Sequence, residues 1–464
     1  MMFRQMGVVV CLAAVASVAS AQSVETWLTN PDRSAVLAKQ PEVKFAKADA
    51  VGLPVITVDA KKKMQTMDGF GFALTGGSAQ LMMQMSPAAR RALLRELFDV
   101  DGDAIGVSYL RVSIGASDMN DHVYSYDDLP TGEEDRTLTK FSLGEDMKDV
   151  VPVLKEILQI APKIEILGSP WSAPAWMKTN GDVKGGKLKP ELYGVYAQYL
   201  VKYLQAMKAQ GINVTAITVQ NEPLNPKNTP SMVMEAEEQR TFIRDAFGPA
   251  LKKAKLKTKV ILYDHNVDEP GYPMVTLKDP VAAKYVAGSG FHLYKGAIDA
   301  MSTVHDAFPK KDLYFTEQMV VDRKGTANLA IAGPVARIVI GSTRNWARNV
   351  LLWNLAADPQ FGPHTNNGGC PVCEGAITLD GDGITRNLGY YTAAHASKFV
   401  RPGSVRVDSS ATEGLPNVAF RTKAGKVALL VANPGKEDRE FALQWKGKTL
   451  RTKLAAGAAA TYLW

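Results

Sequence analysis

Cysteine and histidine are scarce in this chain, three and six among 464 residues. The six histidines are dispersed, and no second Cys-x-x-Cys or trailing histidine accompanies the pair at Cys370 and Cys373. No metal site is therefore readable from ligand spacing. Clustered basic charge is also missing. The formal charge is +7 and the sequence pI is about 9.0, yet Lys61-Lys62-Lys63 is the longest basic run. That excludes a nucleic-acid footprint. It leaves a solvated surface, or mild adsorption to an anionic envelope or acidic polysaccharide. There is no glycine-rich phosphate loop, no Ser or Cys nucleophile triad, no internal repeat and no low-complexity tract. Beyond the N-terminus no apolar run reaches the roughly 20 residues needed to span a bilayer.

The first residues read as an export signal. Arg4 gives a positive start, Gly7 to Val18 is apolar, and Ala19-Ser20-Ala21 is a small-residue cleavage site before Gln22. Residues 1–21 are assigned to this signal, with the mature protein periplasmic or secreted. Cys11 follows three valines, not the small residues of a lipid-attachment site. Cys370 and Cys373 remain. A redox motif, half a zinc site, free thiols and a local disulfide are the alternatives, and the loop-like sequence favours the disulfide.

What is present is an alternation. Apolar, β-branched runs recur at 66–75, 105–114, 163–167, 216–219, 259–263, 290–294, 312–316 and 349–353. Helical segments lie between them at 87–98, 147–158, 192–209, 232–255, 280–286, 298–307, 328–345 and 388–399, the first opened by Ser86 and Pro87. Eight strand–helix units predict an α/β protein with a (β/α)8 barrel over 65–400. A doubly wound open sheet is the alternative, but polar residues follow many strands, not one switch point. After Pro402 the pattern is purely β, and Val55-Ile56-Thr57-Val58 is a lone strand before the barrel. The 401–464 region is expected to form a β-sandwich side domain, joined by the 22–64 segment, so that both termini build it.

Barrel enzymes place their chemistry after the strand ends. Those positions hold Arg111, Asp118, Trp171, Asn221-Glu222, Asp264-His265, His292, Tyr294, Glu317 and Trp353. Two glutamates at strand ends stand out, because burying an ionised group is costly unless it is paired. One such glutamate alone is as readily a helix cap or surface carboxylate. Two, among aromatics that can stack on a sugar, suggest the acid and the nucleophile of glycosidic cleavage. On this reading Glu222 is the acid/base, and Glu317 the nucleophile. Arg111 lowers a nearby glutamate's pKa, and Tyr294 hydrogen-bonds the nucleophile. Trp171 and Trp353, each taken alone, read as core aromatics, and His292 reads as structural more readily than catalytic. No cofactor is implied, since two carboxylates and water suffice.

At these residues the chain resembles glycoside hydrolase family 30, the glucosylceramidase family of retaining clan A enzymes. The resemblance runs from Gln65-Thr66-Met67-Asp68-Gly69-Phe70-Gly71 through Ser169-Pro170-Trp171-Ser172-Ala173-Pro174 and Asn221-Glu222-Pro223. It continues through Thr316-Glu317 to Ser397-Lys398-Phe399-Val400-Arg401-Pro402-Gly403. It implies the same barrel and side domain, and the same roles for Glu222 and Glu317. It also implies a sugar held by Trp171, Asn221, Trp353 and Asp118, and the strand-end reading adds Arg111, His292 and Tyr294 to the expected substrate-binding set. One departure is Gly76, where the family carries an acidic residue, and Phe72 replaces a glycine. The expected activity is that of an exported, glucosylceramidase-like retaining β-glycosidase. Its partner would be a β-glucoside, either a glycolipid or an oligosaccharide. A β-1,6-glucanase, a β-xylosidase or β-fucosidase, and a non-catalytic carbohydrate-binding scaffold are the alternatives.

Overall fold

The computed structural model describes residues 22–322 and 328–464. The segment read as an export signal, with Cys11, lies outside the described residues. Eight parallel strands close into a barrel. They are β1 (Gly69–Leu74), β2 (Tyr109–Ile114), β3 (Glu165–Pro170), β4 (Ala216–Thr218), β5 (Lys259–Asn266), β6 (Val286–His292), β7 (Asp312–Glu317) and β8 (Ala347–Leu352). Neighbours pair in chain order, and β8 closes on β1 from Asn349↔Gly69 to Leu352↔Phe72. Strands buried on both faces need continuous apolar runs, which is why they were readable. The barrel interior is plugged by Tyr109, Leu167, Ala216, Ile261, Tyr314 and Leu351, one from each of six strands.

Local chemistry sets several boundaries. Ser86 accepts the Ala89 N–H and Pro87 opens the helix Pro87–Phe98. The strand expected to start at Thr66 starts at Gly69, because Thr66 ends the long side-domain strand Val55–Thr66. The helix expected at 232–255 is interrupted by a π-helical segment, Ile243–Phe247. The helix expected at 280–286 is only a 3₁₀ turn, Ala282–Tyr285, and the true helix, Gly271–Lys278, precedes it. A small sheet of Ala356–Ala357, Ile377–Asp380 and Gly383–Arg386 follows β8.

The side domain is built from both ends of the chain. Ser23–Thr29 pairs with Ala459–Leu463, and Val55–Thr66 lies between Val405–Ser409 and Arg439–Trp445. One face of its sheet, through Phe420, Ala428 and Leu430, joins the barrel's apolar core. The other, through Val407, Leu429, Val431 and Phe441, forms the sandwich's own core. Among the described residues no helix is long and apolar enough to cross a membrane.

Candidate active site

The C-terminal ends of the barrel strands bring the polar residues together around a cleft of about 730 Å³. Asp118, Trp171, Asn221, Glu222, Tyr294, Glu317 and Trp353 line it. Glu222 follows β4 and Glu317 ends β7. Both carboxyl groups are buried, at 8% and 6% exposure. One carboxylate oxygen of each, together with a nitrogen of His292, lies within 4.8 Å of the others. Retaining glycosidases hold their carboxyl pair about 5–5.5 Å apart, and inverting ones leave a wider gap for water.

Arg111, at the centre of β2, organises the nucleophile side. Its guanidinium donates to Glu317 Oε2 (2.6 Å), Asn221 Oδ1 (2.6 Å), Asp264 Oδ2 (2.8 Å) and Ser169 Oγ (3.1 Å). It also lies 4.8 Å from the centre of the Trp171 ring. Tyr294 donates its hydroxyl to Glu317 Oε1 at 3.0 Å. Burial pushes the Glu317 pKa up, and the positive charges of His292 and Arg111 only partly offset it.

Asp264, a residue with little sequence signal, is the hub. It accepts from Arg111, from the hydroxyls of Ser169, Thr218 and Thr316, and from His292 Nε2 at 3.0 Å. Burial opposes its charge, but Arg111 and His292 hold its carboxyl well below the usual range. The other His292 nitrogen, Nδ1, lies 3.2 Å from Glu222 Oε1. Burial would strip His292 of its proton, yet Glu317, Asp264 and Glu222 raise its pKa to about 9. Burial likewise opposes the Glu222 charge, but His292, His265 and Asn225 hold its pKa down at about 2. Asn225 Nδ2 donates to Glu222 Oε2 at 2.7 Å. His292 Nδ1 lies 3.2 Å from Glu222 Oε1 and 3.7 Å from Glu317 Oε1, so the three side chains form an ion-pair network.

Arg111 and His292 lie apart from the other expected substrate contacts. Arg111 and His292 are fully buried behind the carboxylates, and neither lines the cleft. Their donors are committed to Glu317, Asp264 and Glu222, so they set charge and orientation. Asp118 does line the cleft. Burial and the charges of Glu317 and Glu222 raise its pKa to about 8, which favours the protonated carboxyl. The buried Trp171 indole N–H has no hydrogen-bond partner among the described residues. Trp171 and Trp353 face each other with ring centres 5.4 Å apart. Asn354 fixes the end of β8 by accepting from Thr75 and Ser78.

Cys370 and Cys373 are joined by a disulfide, and both line the cleft. Gly76 is explained by its neighbour. A Cβ there would lie 1.9 Å from Asn120 Nδ2, and Asn120 is already committed to Ser117. The backbone at Glu222, Tyr263 and Asp264 has φ of 45°, 69° and 65°. Left-handed backbone at non-glycine residues is uncommon and gathers at functional sites. Sequence reasoning missed Asn225, which lies three residues beyond Glu222 in a turn between Pro223 and Pro226 and carries no motif of its own.

Comparison with known proteins bears out the family and the fold. The glycosyl hydrolase family 30 TIM-barrel domain matches residues 67–400, and that family's β-sandwich domain matches residues 403–462. An endo-1,6-β-D-glucanase of Neurospora crassa is 38% identical over 355 residues, 74% of this chain and 72% of that protein. The lysosomal acid glucosylceramidase of Mus musculus is 30% identical over 436 residues, 88% of this chain and 83% of that protein. A solved endo-β1,6-glucanase superposes with a TM-score of 0.88 at 33% identity, covering 95% of this chain and 99% of that one.

Proposed function

The chain belongs to glycosyl hydrolase family 30, and we propose that it is an endo-acting β-1,6-glucanase working by double displacement with retention. The observation that carries the substrate reading is the group of polar side chains in the cleft lining beyond Glu222. Asn225, Lys227, Asn228, Asp268, Glu269 and Lys295 form it. Amides and charged groups suit the hydroxyls of a further sugar unit, whereas a ceramide tail needs an apolar lining. The fungal relatives named as endo-1,6-β-glucanases support the same reading. Export, read from residues 1–21, fits an enzyme whose substrate is an extracellular polymer.

In this mechanism Glu317 attacks the anomeric carbon and forms a glycosyl ester while Glu222 protonates the leaving oxygen. His292 supplies that proton across its 3.2 Å contact. The Glu317 charge is a principal reason that His292 stays protonated. Ester formation removes that charge and so releases the proton toward Glu222. Water then attacks the ester with Glu222 acting as base, and the proton taken from water passes from Glu222 back to His292 as the Glu317 charge reappears, so the starting state is restored.

The test compares a linear β-1,6-glucan, glucosylceramide and an aryl β-glucoside on the purified protein. Cleavage of the glucan to oligosaccharides is expected. Hydrolysis of glucosylceramide with an intact glucan would overturn the substrate reading. Glu317→Gln should lower aryl-glucoside turnover by about four orders of magnitude or more. Glu222→Ala should recover with azide and yield a β-glycosyl azide. Activity surviving in Glu317→Gln would reject the assignment.

A further inference from the structure

The positive charge that looked scattered along the sequence is segregated in the fold. Residues 22–64 and 401–464, which build the side domain, carry 18 Lys and Arg against 10 Asp and Glu. Residues 65–400 carry 35 against 37. The barrel is thus near neutral, and the side domain holds the excess.

Strand pairing shows where within the side domain it sits. Val55–Thr66 and Arg439–Trp445 run parallel, so the turn Lys446-Gly447-Lys448 lies beside the stretch leading to Lys61-Lys62-Lys63. Val405 pairs with both Thr66 and Arg421, which places Arg421 and the following turn, with Lys423 and Lys426, at that same end. Ser23 pairs with Lys44, and Trp445 reaches Gln22, so the start of the first strand joins the same end. Acidic residues balance the opposite end, where Glu413, Glu437, Asp438 and Glu440 accompany Lys436, Arg439 and Lys453. At the basic end Lys62 pairs with Asp408, and Lys426 with Glu25. Lys61, Lys63, Lys423, Lys446 and Lys448 have no ion-pair partner among the described residues.

We propose that this end of the side domain is a docking surface for an acidic polysaccharide. The charge favours a polyanion, and like charges held close without partners raise the potential that attracts one. Two features favour a sugar polymer over a lipid surface. Trp445 is partly exposed there, with Lys446 Nζ 5.2 Å above its ring centre, which sets an aromatic ring and a cation side by side as a sugar-recognition site would need. Among the described residues Val43 is the one large apolar side chain exposed at this end, and the others there are polar or charged. The strand Val55–Thr66 leads directly to the first residue of β1, at the barrel's N-terminal rim. A polymer bound here leaves the cleft at the opposite rim open, and the enzyme is held where a second, neutral glucan is cut.

The experiment uses the full mature chain and immobilised polygalacturonate at low salt. Retention, lost on raising the salt, is expected. The variant Lys61→Glu/Lys63→Glu/Lys446→Glu/Lys448→Glu should bind about tenfold or more weakly, with unchanged hydrolysis of a soluble aryl glucoside as evidence of folding. An equal charge reversal on the barrel, Lys252→Glu/Lys253→Glu/Lys255→Glu/Lys257→Glu, should leave retention intact. Equal loss in both variants, or no retention of the wild type, overturns the proposal. So does binding to phosphatidylserine vesicles without binding to polygalacturonate. None of these outcomes depends on which glycoside the cleft hydrolyses.

Discussion

Asp264 and His292 show what a single residue does when it is buried among opposite charges. Neither lies in a distinctive motif, and Asp264 directly follows the apolar run 259–263, in the polar end of β5. Their importance comes from partners brought in from Arg111, Ser169, Thr218, Thr316 and both glutamates. No local sequence pattern records those partners. His292 also makes a pH prediction. Its folded pKa is about 9, against about 6.5 for a free histidine. A raised pKa means its proton stabilises the fold fully below pH 6.5, and that contribution is lost as pH rises through 9. The expected size is on the order of 3 kcal/mol. Denaturant unfolding at pH 6 and pH 9.5 should show the gap between wild type and His292→Gln shrinking at the higher pH. A constant gap would mean that His292 is neutral in the fold.

At the level of elements, the barrel was legible because strands covered on both faces must be apolar, and helices with one wet face must be periodic. The Glu222 and Glu317 positions were legible for the same reason, as charges ending apolar runs. Short elements were not. Ala356–Ala357, Ile377–Asp380 and Gly383–Arg386 carry too few residues for a period to show, and they depend on pairing with one another. The loop between them is the least predictable part of the site and forms one wall of it. Cys373 packs with Trp171 and Trp353. Thr365 N–H donates to the Asp118 carbonyl at 2.9 Å, and Ala376 N–H to the Asn354 carbonyl at 2.7 Å. The Thr365 hydroxyl donates to the Thr229 carbonyl at 2.5 Å, in the loop that follows Glu222. The disulfide therefore braces a wall tied to three strand ends. Cys370→Ser/Cys373→Ser should raise KM about three- to tenfold through lost positioning. With the glutamates untouched, kcat on an activated aryl glucoside should change less. Loss confined to kcat would place the loop's effect on the chemistry, not on sugar binding.

On the scale of the whole molecule, the question is whether barrel and side domain are two stable bodies or one. The side-domain sheet has no solvated face toward the barrel, because Val418, Phe420, Ala428 and Leu430 belong to the barrel's own apolar cluster. Polar groups lock the same junction. His395, on the barrel helix Leu388–Ser397, is fully buried, with its ring nitrogens 2.9 Å from Thr29 Oγ1 and 3.1 Å from Thr461 Oγ1. Those threonines come from the first and last strands of the side domain. Arg344, near the end of the helical segment before β8, donates to the carbonyls of Ser409 and Asn417. Removing the side domain would expose a face of the barrel core, so a chain ending at residue 400 should aggregate. A milder test avoids truncation. His395→Ala leaves a cavity and removes two hydrogen bonds at the junction, at a cost of about 2–4 kcal/mol. If the two bodies unfold as one, a single thermal transition should move to lower temperature, reported equally by loss of catalytic activity and by far-UV circular dichroism. Two separate transitions, with activity surviving the first, would mean that the barrel stands alone.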